Sequence, residues 1–315
     1  MQVTSTAMSP DSRRGGQQVV NDKDMHLMEL PCLVNRVLAM RQQEIITYSY
    51  ENYRQSKNGR TDGEKESIEI AMEPSWREQI CEWAYRVVDH FGFSREMVAI
   101  SLYLFDRFLA KTGHQSTCGN SRVLLLAAMT TLQLAIKIND PKKLNLNSYC
   151  LLSQGRFSPK QVEEMERQIL QALDWQVTPP TALAFIGNML LFLPTEIHNC
   201  VNEIYELARY ISELSTHDSL LITTDASVVA LAAILTAMDS LSISKVPIWA
   251  REYFILTLSD RMKLYANCPK VREIIDRLRQ IYETSIEIEI QNKDTQEIIT
   301  LQNSPKTVVP EAEKD

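Results

Sequence analysis

The sequence predicts an all-α fold, and three observations carry that prediction. Glycine is scarce, 9 in 315 residues, too few for the many tight turns of a β-sandwich or a doubly wound sheet. Leu, Ile, Ala, Met, Glu and Gln, which favour helix, are abundant. Two stretches, Val123 to Ile136 and Ala226 to Met238, are apolar on almost every side. A helix of that kind must be covered all round by neighbours. Each stretch therefore reads as the central helix of a bundle, and each falls short of the roughly 20 apolar residues that a membrane span needs.

The elements follow in order. Residues 1 to about 24 are polar and are expected to be disordered. Leu33, Val37, Met40, Ile45 and Tyr48 then recur at helical spacing, which predicts a helix near 31–54. A charged, Gly-containing linker closes this N-terminal extension of residues 1–73. Pro74 and Ser75 open a helix with Trp76, Ile80, Trp83, Val87 and Phe91 on one face, and Gly92 ends it. Ser94 caps the next helix, which carries Val98, Leu102, Phe105, Phe108 and Leu109. The first all-apolar helix follows and ends at Lys137, a cation at the negative end of the helix dipole. A shorter helix is expected from Leu144 to Leu152. Ser158-Pro159 starts a fifth, with Ser at the N-cap and Pro at N1.

That makes one five-helix unit, residues 74–178. Val177-Thr178-Pro179-Pro180 is a rigid break, and the cycle then repeats over 179–285. Candidate helices run Thr181 to Leu193, Glu196 to Leu214, Asp225 to Leu241, Pro247 to Leu258 and Pro269 to about Glu283. The apolar helix is again third, a duplication of architecture with weak residue identity. Residues 286–315 read as an acidic, largely disordered tail. In it Ile286, Ile288 and Ile290 alternate, which fits either a helix end or a short strand.

Composition excludes several functions. Net charge is -7 and pI about 5.4, against the basic face that nucleic-acid binding requires. The 6 cysteines are scattered without a CxxC pair, as expected of reduced thiols in a reducing compartment. The start of the chain lacks a signal-peptide core, and no nucleic-acid or membrane partner is expected. No metal-type histidine pairing, phosphate-binding glycine loop or GxSxG occurs. The acidic cluster Glu163, Glu164 and Glu166 reads as a solvated face. Neither catalysis nor a cofactor is expected.

Four charged residues lie beside or within apolar helical faces: Arg77, Asp106, Lys137 and Glu166. Taken singly, each reads as a surface charge at a helix boundary. Together they fall into segments that resemble the cyclin box: Trp76-Arg77-Glu78-Gln79-Ile80-Cys81-Glu82-Trp83, Phe105-Asp106-Arg107-Phe108-Leu109, Ala135-Ile136-Lys137, and Met165-Glu166-Arg167-Gln168-Ile169-Leu170. Arg77, Asp106, Leu126, Lys137 and Glu166 match the five most characteristic positions of the box. A weaker resemblance runs from Thr181 to Glu283.

The resemblance implies two tandem five-helix cyclin folds behind an N-terminal helical extension. It implies a non-catalytic regulatory subunit that binds and activates a cyclin-dependent Ser/Thr protein kinase in cell-cycle control. Arg77 and Asp106 are implied to pair inside the box, with Leu126 as a structural residue. Lys137 and Glu166 are implied to lie together on the kinase-gripping surface, which holds the kinase αC helix inward. Trp76, Ile80 and Trp83 correspond to the slot with which some cyclins take substrates or inhibitors bearing short docking motifs. Here Gln79 and Arg86 depart from that pattern, and core packing is the alternative for the tryptophans. Ile138-Asn139-Asp140 keeps one acid where many cyclins have a pair. Ser304 is a candidate phosphosite, and nucleus and cytoplasm are the expected locations. Two alternatives remain for the function, a transcription-associated cyclin and a factor-IIB-like scaffold with paired cyclin folds. The net negative charge disfavours the scaffold. A helical-repeat adaptor would show a constant period, which is not found.

Overall fold

The computed structural model describes residues 22–50, 74–112, 121–142, 153 and 155–302, and no strand occurs among them. The helices are α1 (Asp22–Ile46), α2 (Pro74–Phe91), α3 (Glu96–Thr112), α4 (Ser121–Asn139), α5 (Pro159–Ala172), α6 (Ala182–Met189), α7 (Val201–His217), α8 (Ala226–Ser240), α9 (Ile248–Met262) and α10 (Pro269–Gln302). The helix expected at 144–152 and the candidate phosphosite Ser304 lie outside the described residues.

Both all-apolar helices are central. In the first unit α4 packs on α2, α3 and α5, and in the second α8 packs on α6, α7 and α10. At 19 residues α4 is long and apolar enough to cross a membrane by length and composition alone. Its neighbours instead bury Leu124, Ala127, Ala128, Leu132, Ala135 and Ile136 in a protein core. Thr130 and Thr131 sit in that core without orphaned hydroxyls, because they donate to the carbonyls of Leu126 at 2.7 Å and Ala128 at 2.9 Å.

Helix ends follow local chemistry. Gly92 takes a left-handed φ of +65° after α2, and the Phe93 amide then donates to Val88 O at 2.9 Å. At α5 the Ser158 and Gln161 side chains form a capping box, with Pro159 in the first turn.

Two helices differ from expectation. α1 starts at Asp22 and ends at Ile46, with Pro31 inside it rather than at its start. Its apolar face docks on the second unit, not the first. Val37 is fully buried in the second core, with Leu30, Leu33, Val34 and Met40 packed around it. Arg41 donates to the Met262 carbonyl at the end of α9. The last helix continues to Gln302, through Ile286, Ile288 and Ile290, where a tail is expected from residue 286. No Gly or Pro follows Pro269 before that point, so nothing local stops the helix.

The two units touch through α2 and α3 against α7. Ile222 of the second unit is buried in the first unit's core. The Tyr85 hydroxyl donates to Glu213 O at 3.2 Å, and the Tyr50 hydroxyl to Ile222 O at 2.8 Å.

Candidate functional site

Arg77 and Asp106 meet as the sequence implies. α2 presents Arg77 one turn before Ile80, and α3 presents Asp106 between Phe105 and Phe108, which are both buried. The guanidinium Nη2 lies 3.0 Å from Asp106 Oδ2, and Nε donates to both carboxylate oxygens at 3.2 Å. The two side chains are only 6% and 2% exposed. This is a fork-to-carboxylate bond in a dry setting. The remaining arm, Nη1, donates to Thr216 O on α7 at 2.8 Å. Arg77 therefore ties α2 to α3 and also the first unit to the second.

Lys137 and Glu166 also meet, in a different setting. Lys137 stands in the last turn of α4 and Glu166 in the middle of α5. Lys137 Nζ donates to Glu166 Oε1 at 2.6 Å. The lysine is 55% exposed and the glutamate 14%, so the acid is anchored and the cation faces solvent. One of three ammonium donors is engaged there. Ile138, next to the pair, is an exposed apolar residue. A surface pair contributes only about 0–1 kcal/mol to stability. It is far better suited to contact a partner than to hold the fold together.

Leu126 is buried in the first core. Of the three residues of the expected docking slot, Ile80 is a core residue, while Trp76 and Trp83 are half-buried against that core. Any docking face on α2 therefore falls to the two indoles, with Gln79 and Arg86 exposed beside them.

Three features were not expected from the sequence. Glu44, on α1, is buried and accepts from the Ser227 amide at 2.9 Å and the Ser227 hydroxyl at 2.6 Å. It thereby caps α8, whose own N-cap residue Asp225 makes no side-chain cap bond. Burial pushes the Glu44 carboxyl above its ordinary value, against the pull of the Ser227 bonds. Arg107 is the second feature, a buried cation that ties α3 to the end of α1 and to the segment after α5. It donates to Thr47 O at 2.9 Å, to Gln176 O at 3.1 Å and to the Gln176 side chain. Its guanidinium carbon lies 5.2 Å from the Tyr48 ring centre. His217 is the third, stacked on Tyr85 with ring centres 5.3 Å apart and held below its ordinary pKa mainly by burial.

No group of three or more His, Cys, Asp or Glu residues able to hold a metal occurs among the described residues. Burial pushes the Cys81 thiol up to about 12, which makes it a packing residue rather than a nucleophile.

Comparison with known proteins agrees with this architecture. Residues 39–178 match the cyclin N-terminal domain and residues 180–301 the cyclin C-terminal domain. The chain belongs to the cyclin family. It is 28% identical over 153 residues to G2/mitotic-specific cyclin-2 of Antirrhinum majus, covering 49% of this chain and 33% of that protein. It is 27% identical over 116 residues to Cyclin-D3-3 of Arabidopsis thaliana, covering 36% and 31%. These matches span about a third of the relatives' own length. The fold is similar to that of a viral cyclin from herpesvirus saimiri, with a TM-score of 0.57 at 15% identity, over 78% of this chain and 95% of that one.

Proposed function

We propose that this cyclin is a regulatory subunit that binds and activates a cyclin-dependent Ser/Thr protein kinase in the control of cell division, and that it does no chemistry itself. The observation that carries the reading is the Lys137–Glu166 pair, closed at 2.6 Å on an accessible surface. It sits where two core helices meet, so its position is fixed by rigid elements rather than by a loop. A kinase helix laid against that surface is held in one of its two positions, and the free energy of the contact biases the kinase toward its active state. Nucleus and cytoplasm are the proposed sites of action. The half-buried Trp76 and Trp83 are the proposed contact for short docking motifs.

The test is affinity purification from dividing cells of the wild type beside the Lys137→Glu/Glu166→Lys double variant. The swap keeps an ion pair in place but reverses its polarity toward a partner. The wild type is expected to retain a kinase that phosphorylates a histone-type substrate, and the variant to lose at least tenfold of both. A wild type that brings down no kinase rejects the proposal.

A further inference from the structure

We infer that Ser158 is a phosphorylation site for a proline-directed Ser/Thr kinase, with the phosphate seated on the N-terminus of α5. The acceptor hydroxyl is exposed and Pro159 follows it. The Ser158 backbone is extended, at φ -83° and ψ 157°, the shape that a residue before proline is driven to adopt. Exposed Arg156 and Lys160 flank it, and Arg122 of α4 donates to Arg156 O at 2.7 Å, which adds a third cation beside the segment.

The other described Ser/Thr-Pro step, Thr178-Pro179, is exposed at its threonine but tied down on both sides. Its amide donates to the Tyr48 hydroxyl at 3.2 Å, its own hydroxyl lies 3.4 Å from the same oxygen, and Pro179 is buried. Ser158 is held by its capping box with Gln161, at 3.0 to 3.4 Å, and by the Gln161 and Val162 amides, which donate to its carbonyl at 3.0 and 3.2 Å. Phe157 and Val162 anchor the chain on either side of it. Fraying of one helical turn, residues 158–161, is enough to present the serine, and terminal turns open readily.

In the reaction the Ser158 hydroxyl oxygen attacks the γ-phosphorus of ATP held by the kinase. The bond to the β-phosphate oxygen breaks, ADP leaves, and the hydroxyl proton passes to the kinase's carboxylate base. When the turn re-forms, the phosphate takes the place of the serine hydroxyl as acceptor for the Gln161 amide, with the Lys160 amide of the same turn within its reach. A dianion at a helix N-terminus is favourable there, and the flanking cations add to it. The acceptor lies eight residues before Glu166, about 12 Å along the helix. That exceeds the Debye length of about 8 Å at physiological salt. The phosphate therefore acts by firming the start of α5 and altering its surface, not by prising Lys137 from Glu166.

The test is to incubate the folded full chain with a purified, already active proline-directed Ser/Thr kinase and ATP, and to map the product by mass spectrometry. Because the added kinase needs no help from this chain, the outcome is independent of whether the protein is itself a kinase activator. Phosphate is expected on Ser158 in the wild type. Pro159→Ala is expected to lose at least tenfold of it, while Ser158→Thr, which keeps both cap and acceptor, retains it. The phosphorylated chain is expected to melt about 1–2 °C higher. Phosphate confined to the other Ser/Thr-Pro steps of the sequence, Ser9-Pro10, Thr178-Pro179 and Ser304-Pro305, or reaching Ser158 only after heat unfolding, overturns the inference. A lower melting point for the Ser158-phosphorylated chain overturns the placement on the helix cap.

Discussion

Arg77 holds Asp106 with one edge of its guanidinium and a backbone carbonyl of the other unit with the far arm. Removing it leaves a carboxylate that is 2% exposed without its main counter-charge. Arg77→Ala is expected to destabilise the protein by about 3–5 kcal/mol, the usual result of breaking a buried pair from one side. The Arg77→Met/Asp106→Leu double variant is expected to recover more than half of that loss, since neither charge of the pair remains to be buried unpartnered. Urea unfolding of the three proteins measures both numbers. Equal losses in the single and double variants would show that the Thr216 contact, not the ion pair, carries the stability.

At the scale of the element, α1 is the helix that changes most between sequence and structure. Glu44 supplies the cap that α8 lacks, so Glu44→Ala leaves the Ser227 amide and hydroxyl buried without that acceptor. A loss of about 1–3 kcal/mol is expected, read by thermal unfolding, and Glu44→Gln is expected to lose less because it keeps an acceptor. Sequence patterns made α4 and α8 plain, because an all-round apolar run has one physical solution. They marked the start of α5 equally well, since Ser158 at the N-cap and Pro159 at N1 each act in a known way, while the Gln161 half of the capping box emerged from the structure. The docking of α1 was not legible. An amphipathic stripe such as Leu33, Val37 and Met40 shows that a helix must be covered but not by what. Pro31, read as a helix start, turned out to lie inside a longer one. The candidate site divides along the same line. Arg77, Asp106, Lys137 and Glu166 stood out as charges set among apolar residues and in cyclin-box segments. The Thr216 carbonyl and the Ser227 amide are backbone groups that every residue carries, so no sequence singles them out.

For the whole molecule, the junction between the two cyclin folds holds a buried histidine, and that makes it sensitive to acid. His217 is stacked on Tyr85 there, with Arg77 and Arg95 on one side of the charge balance and Glu82 and Glu78 on the other. Burial lowers its folded pKa below the ordinary 6.5, so the unfolded chain binds the proton more readily than the folded one. The stability this represents is complete above about pH 6.5 and is lost as pH falls through the lowered folded value. Glu44 runs the other way. Its raised folded value gives stability that is present below the ordinary carboxyl range and lost as pH rises through that folded value. The thermal midpoint of the wild type is expected to fall between pH 7 and pH 5.5 by more than that of His217→Phe, which keeps the stacked ring without the charge. Parallel melting curves of the two proteins across that range would remove His217 as the cause.

The docking of α1 on the second fold also sets an order of events during synthesis. Glu44 and Ser227 are 183 residues apart in the chain, and the whole first fold lies between them. At the usual ribosomal pace of about 5–20 residues per second, α1 emerges roughly 10–40 seconds before the helix it caps exists. The first fold can gather its core while α1 still waits. This helix is thus made before either fold and is among the last to find its place, and the newborn chain carries its apolar stripe uncovered through that interval.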